Sequence, residues 1–186
     1  MKPWLVRSIM KKELGLKYKP TKHCEVQANS ERCLVLRQQY ALKMLSLLAE
    51  GKRIYNIDES WVDQLNYTRS HWQPKEHPSS SLKPVSPRIS LIACIGSDGS
   101  SLLSMTQVNT DCDVFNVYMT WLVRRLDAQD KNWRDNSVIL LDNAPYHVSN
   151  ASLSHLAFLD VPVILSGPYS YSTAPCELYF AHFKRG

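Results

Sequence analysis

The stretch 137–147, Ser-Val-Ile-Leu-Leu-Asp-Asn-Ala-Pro-Tyr-His, constrains the chain more than any other. Residues 138–141 are an unbroken apolar run, the mark of a strand buried on both faces. A strand covered on both sides belongs to a sheet layered between helices. The run stops at an acid, Asp142, and Pro145 cannot donate to a ladder beyond it. The carboxylate therefore falls at the carboxyl end of a central strand, where open α/β sheets place their chemistry. Two other stretches repeat the pattern. Residues 53–60, Arg-Ile-Tyr-Asn-Ile-Asp-Glu-Ser, read as a short apolar strand ending at Asp58. Residues 174–184, Ala-Pro-Cys-Glu-Leu-Tyr-Phe-Ala-His-Phe-Lys, open a helix with Glu177 in its first turn.

The remaining periodicity supplies elements between these three. A helix is expected over 4–16, with Leu5, Ile9 and Leu14 near one face and Lys11 and Lys12 on another. A basic linker follows, containing Lys17, Lys19, Pro20 and Lys22. Asn29 or Ser30 can cap a long helix of roughly five turns that runs to Glu50 and stops at Gly51. The first strand covers 52–58, and the Pro- and Ser-rich stretch 61–87 is expected to be irregular, its tryptophans Trp61 and Trp72 packed on the sheet. A second strand over 88–96 and a third over 102–108 flank Ser97-Asp-Gly-Ser, a hairpin signal. Asp111 or Asp113 caps a helix to about 127, with Val114, Val117, Tyr118, Trp121, Leu122 and Leu126 as its apolar face. Strand four at 137–142, a short helix at 150–159, strand five at 161–166 and a helix from Pro175 complete the order.

Three antiparallel strands followed by parallel additions make an α/β fold: a mixed five-stranded sheet with helices on both faces, in the ribonuclease-H-like order, preceded by a helical N-terminal segment. The 186 residues suffice for one such domain with an appendage. In this order the ends of the first and fourth strands are neighbours, so Asp58 and Asp142 are expected side by side with Glu177 brought against them.

Charge divides the chain. Residues 1–53 hold 12 Lys/Arg against 4 Asp/Glu, and residues 54–186 hold 10 against 13. A basic front half suits either an anionic partner such as nucleic acid or an ordinary solvated helix. No apolar run approaches the roughly 18 residues of a membrane span, and the first residues lack the apolar region of a signal peptide. The 5 cysteines are widely spaced with no Cys-x-x-Cys pair, which suggests neither a disulfide framework nor a zinc site and suits a reducing compartment.

Three carboxylates gathered in one place cannot all stay ionised without a counter-charge. Mg²⁺ or Mn²⁺ supplies it, taking oxygen ligands and keeping positions for water and phosphate. Two such ions roughly 4 Å apart stabilise both the attacking and the leaving oxygen of a phosphoryl displacement. Singly, each acid has a plainer reading: Asp58 as a turn residue with Glu59 as the true ligand, Asp142 as a turn signal, Glu177 as charge complementing a helix N-terminus. Together, with 34 residues between Asp142 and Glu177, a metal-binding set of Asp58, Asp142 and Glu177 is the better account. Glu59, Ser60, Asn143 and His147 are candidates for orienting these ligands. His147 has two further readings, as a contact to metal or DNA and as a histidine bonded within its loop. Cys176 has no evident base beside it, which argues against a thiol nucleophile.

The motifs Asn56-Ile-Asp-Glu-Ser-Trp, Leu140-Leu-Asp-Asn-Ala-Pro-Tyr-His and Pro175-Cys-Glu-Leu-Tyr-Phe-Ala-His-Phe-Lys resemble the catalytic domain of mariner-like transposases, members of the DDE endonuclease superfamily. Asp58, Asp142 and Glu177 fall on that family's three catalytic positions. The resemblance covers about residues 50–186, with 1–50 similar to the end of a helix-turn-helix DNA-binding region and its linker. It implies metal-dependent cleavage and transfer of DNA strands at transposon ends, with two Mg²⁺ or Mn²⁺ ions. It also implies a homodimer on double-stranded DNA and a nuclear setting; the basic front half is expected to contact that DNA through Lys11, Lys12, Lys17, Lys19 and Lys22. Ala174 stands where the family usually has asparagine. Most of a paired DNA-binding module is missing and the last helix is short, the marks expected of a fragment, a decayed copy or a host-recruited derivative. An inactive DNA-binding descendant and a nuclease acting on RNA–DNA hybrids are the alternatives.

Overall fold

The computed structural model describes residues 2–17, 26–62 and 89–183. Its elements are α1 (Pro3–Lys12), α2 (Glu31–Ala49), β1 (Arg53–Val62), β2 (Ile89–Gly96), β3 (Ser101–Thr106), α3 (Cys112–Gln129), α4 (Trp133–Asn136), β4 (Ser137–Leu141), α5 (Asn150–Phe158), β5 (Val163–Leu165) and α6 (Pro175–Phe183). The sheet order is β3-β2-β1-β4-β5. β1, β2 and β3 pair antiparallel, and β4 and β5 join in parallel. This is the ribonuclease-H-like order expected from the sequence.

Strand alternation divides the side chains between two faces. Ile54, Val138 and Leu140 meet Leu47 of α2, while Leu91 and Ala93 meet Cys176 and Phe180 of α6. The register Ile54↔Val138, Asn56↔Leu140 and Asp58↔Ala93 puts all of these on one face. The opposite face carries Tyr55, Ile57, Ile92, Cys94, Ile139 and Leu141, packed against α3 and α5. β4 is buried along its whole length, as its apolar run requires.

Local signals set several boundaries. Ser30 caps α2 by accepting from the Cys33 N–H, and Asp111 caps α3 by accepting from the Val114 N–H. In the β2–β3 turn Asp98 Oδ1 accepts from the Ser100 N–H at 2.9 Å, and Gly99 takes φ 85°.

Five expectations are corrected. β1 does not end at Asp58: antiparallel pairing with β2 carries it to Val62, so Trp61 lies on the strand, 51% exposed. Trp72 and the rest of 63–88 lie outside the described residues. α3 buries Phe115, Tyr118, Met119, Leu122, Val123 and Leu126, whereas Val117 is 71% exposed and Trp121 lies partly open. This helix is apolar on more than one side, and the sheet and α5 decide which side turns inward. α1 stops at Lys12, short of 16, and β5 keeps only three residues. The short α4 went unanticipated, although its Trp133 is buried in the core.

Candidate active site

β1 holds Asp58 on the face shared by α2 and α6, and period-two alternation sends Glu59 to the other face. Asp142 is the first residue after β4. Parallel pairing ends at Asn56↔Leu140, and counting two residues on in each strand brings Asp58 and Asp142 level. Glu177 sits in the first turn of α6.

What docks α6 here is a residue that the sequence reading did not single out. Asn56 is buried in β1, and its Oδ1 accepts from the Cys176 N–H at 3.0 Å. Its Nδ2 donates to the Leu140 carbonyl at 3.4 Å. The Cys176 thiol, whose pKa burial pushes up, donates to the Asn56 carbonyl at 3.1 Å. One asparagine thus ties β1, β4 and the start of α6 together. A polar residue inside the apolar run Ile54-Tyr-Asn-Ile was the available signal, because a buried amide requires partners. Asn56→Ala is expected to cost about 1–3 kcal/mol by stranding these groups, read as a lower urea midpoint.

Asp58, Asp142 and Glu177 all line one open cavity of about 560 Å³. Burial pushes the Asp58 carboxyl up to about 7; the Glu59 N–H bond opposes this, and the charges of Glu59, Glu177 and Asp142 add to it. Asp142 behaves oppositely. Burial would raise it, but bonds from His147 and the Ala144 N–H, with the His147 charge, hold it below the usual carboxylate range.

Behind Asp142 lies a buried chain of polar groups. His147 Nδ1 is 2.7 Å from Asp142 Oδ1, and its Nε2 is 3.2 Å from Glu59 Oε1. The Tyr146 hydroxyl donates to Glu59 Oε2 at 2.9 Å. His147 is 0% exposed, with the Phe115 ring centred 4.4 Å away. An ionised carboxylate only accepts, so both ring nitrogens must carry protons. Burial works against that charge, but the bonds and charges of Asp142 and Glu59 prevail and push His147 up to about 9. His147 therefore braces Asp142 from behind and does not line the cavity. Asn143 lines it, but its Nδ2 donates to the Ser166 carbonyl at 2.8 Å, joining the loops after β4 and β5. Tyr146 was missed in the sequence; nothing local marks it.

Among the proposed DNA contacts, Lys11 and Lys12 occupy the exposed last turn of α1, and Lys17 is exposed beyond it. Lys11 and Lys17 border a separate groove on α1. Lys19 and Lys22 lie outside the described residues.

The donor chemistry suits a hard divalent cation: three carboxylates line one cavity, and burial, with neighbouring negative charge, pushes one of them up to about 7. Among the described residues no three His, Cys, Asp or Glu side chains are grouped so as to hold an ion.

Solved structures share this architecture. A Mos1 transposase paired-end complex with the left transposon end aligns at TM-score 0.69 and 22% identity, over 97% of this chain and 56% of its own. The chain has the fold of a mariner transposase. A pre-cleavage Mos1 transpososome aligns at TM-score 0.70 and 21% identity over the same shares. The catalytic domain of Mos1 mariner transposase aligns at TM-score 0.57 and 22% identity, over 90% of this chain and 74% of its own. The chain spans about half the length of the transposase in the two DNA complexes. No protein-family model and no curated protein matches it.

Proposed function

We propose that this chain is the catalytic core of a mariner-type transposase, a metal-dependent endonuclease and strand transferase acting on double-stranded DNA at transposon ends. The observation that carries the reading is that Asp58, Asp142 and Glu177 line one cavity whose described lining residues include no lysine or arginine. Mos1 structures with this fold include paired-end complexes with Mn and with Mg.

Asp58, Asp142 and Glu177 would hold two Mg²⁺ or Mn²⁺ ions. Bound there, the ions would neutralise phosphate charge and polarise the attacking and leaving oxygens. The protein's own part is placement. His147 and the Ala144 N–H fix Oδ1 of Asp142, and Asn56 fixes the turn that carries Glu177. Lys11, Lys12 and Lys17, with Lys19 and Lys22, would neutralise DNA phosphates outside the cavity, and binding should weaken steeply with salt. A homodimer on DNA in the nucleus completes the proposal.

Titration with Mn²⁺ tests it. The parent should bind in the absence of DNA, and Asp58→Asn should weaken binding at least tenfold, since it removes a ligand outright. Equal Mn²⁺ affinity in the two would refute the assignment of Asp58. That no three such side chains are grouped among the described residues favours a second reading, a DNA-binding derivative that has lost catalysis. It expects salt-sensitive DNA binding with no cleavage in either metal.

A further inference from the structure

β3 forms one edge of the sheet and pairs with β2 alone among the described strands. That pairing is continuous from Ser90↔Thr106 to Ile95↔Ser101. At the turn the Gly96 N–H donates to the Ser100 carbonyl at 2.8 Å. Bonding alternates along an antiparallel ladder, so Leu102, Ser104 and Thr106 bond to β2. The N–H and C=O groups of Ser101, Leu103 and Met105 therefore point away from β2, out of the sheet edge. Register sets the Leu103 and Met105 side chains beside Ala93 and Leu91 on the α6 face, where they are 40% and 71% exposed. Sheet edges are ordinarily guarded by a charge, a proline or a bulge. The strand Ser101–Thr106, Ser-Leu-Leu-Ser-Met-Thr, has none of these.

We propose that β3 is a self-association edge, which pairs antiparallel with β3 of a second copy and joins the two sheets into one. The strand is its own complement. With a two-fold axis at Leu103, Ser101 opposes the partner's Met105 and Leu103 opposes the partner's Leu103. Each opposing pair then exchanges both of its outward N–H···O bonds. The strand carries no charge, so no like charges meet across the axis. The Leu103 and Met105 side chains of both copies fall on one face, next to Ile95 and Tyr179, and cover apolar surface now open to water. An extended peptide of another protein would share the backbone bonds but not this match of side chains. Each copy offers one such edge, so association closes at a dimer. The contact needs neither DNA nor metal and does not rest on the transposase reading.

Sedimentation velocity of the full chain, without DNA or metal, tests it. The parent should pass from monomer to dimer as its concentration rises about a hundredfold. Leu103→Lys sets two ammonium groups face to face at the axis and should raise the dissociation constant at least about tenfold, with an unchanged circular dichroism spectrum. Two further readouts separate strand pairing from any other contact. Amide hydrogen exchange at Leu103 and Met105 should slow in the dimer, because those N–H groups gain partners. Leu103→Cys should give a disulfide-linked dimer under mild oxidation where the parent gives none, since Cα atoms about 5.5 Å apart across the axis lie within disulfide reach. A parent that stays monomeric would overturn the interface. So would a dimer whose Leu103 and Met105 amides exchange at the monomer rate, or one that Leu103→Lys leaves equally tight. Metal-dependent DNA cleavage in any of these cases would leave the transposase reading standing.

Discussion

Asp142→Asn should abolish Mn²⁺-dependent nicking of supercoiled plasmid while leaving the protein folded. The substitution is nearly isosteric. The carbonyl of the introduced amide can still accept from the Ala144 N–H and from His147 Nδ1, the two bonds that now fix Oδ1 of Asp142. His147 keeps Glu59 as an anionic partner. What disappears is the negative charge toward the cavity, where a hard cation requires it. Loss of a group that merely orients a metal ligand costs about 10–100-fold, so loss of the ligand itself should exceed roughly 100-fold in nicking rate. The control is an unchanged urea midpoint. Nicking at the parental rate by a folded Asp142→Asn protein would remove Asp142 from the chemistry.

The elements around this site differ in how far the sequence revealed them. β4 was legible because burial on both faces leaves an apolar run with no alternation to misread, and its end was marked by an acid and a proline. The caps at Ser30 and Asp111 and the turn at Asp98-Gly99 were legible because each is settled within four residues. The far end of β1 was not, because Glu59 to Val62 remain in the sheet only through pairing with β2, a partner some thirty residues away. The inward face of α3 was missed for a related reason. Met119 and Val123 compete with Val117 and Trp121 for the core, and the shape of the neighbouring sheet decides.

The site shows the same division. Three acids at strand end, strand and helix start could be picked out by position, but not what holds them. Asn56 reaches 120 residues along the chain to Cys176, and His147 reaches 88 residues back to Glu59. Such partners become visible only when the register is known. Alternation along β1 then explains why adjacent acids have different surroundings. Asp58 faces the cavity and its negative neighbours, whereas Glu59 faces a buried imidazolium and a tyrosine hydroxyl.

That buried bridge leads to the other large effect expected. His147→Ala should destabilise the protein by about 3–5 kcal/mol, because it leaves the Glu59 carboxylate, only 7% exposed, without its cation. The parallel pairing of β1 with β4 ends at Asn56 and Leu140; beyond that point the bridge from Glu59 through His147 to Asp142, with the Tyr146 hydroxyl on Glu59, spans the two strands. The pH dependence follows from the direction of the shift. His147 is raised to about 9 in the fold, against about 6.5 in an unfolded chain. Its contribution is therefore complete below about pH 6.5 and disappears as pH rises through about 9. Metal-free parent should lose thermal stability between these limits, and His147→Ala, already less stable, should lack that decline. A parental melting temperature flat from about pH 6.5 to about 9.5 would mean that His147 is neutral in the fold and that the bridge carries no charge.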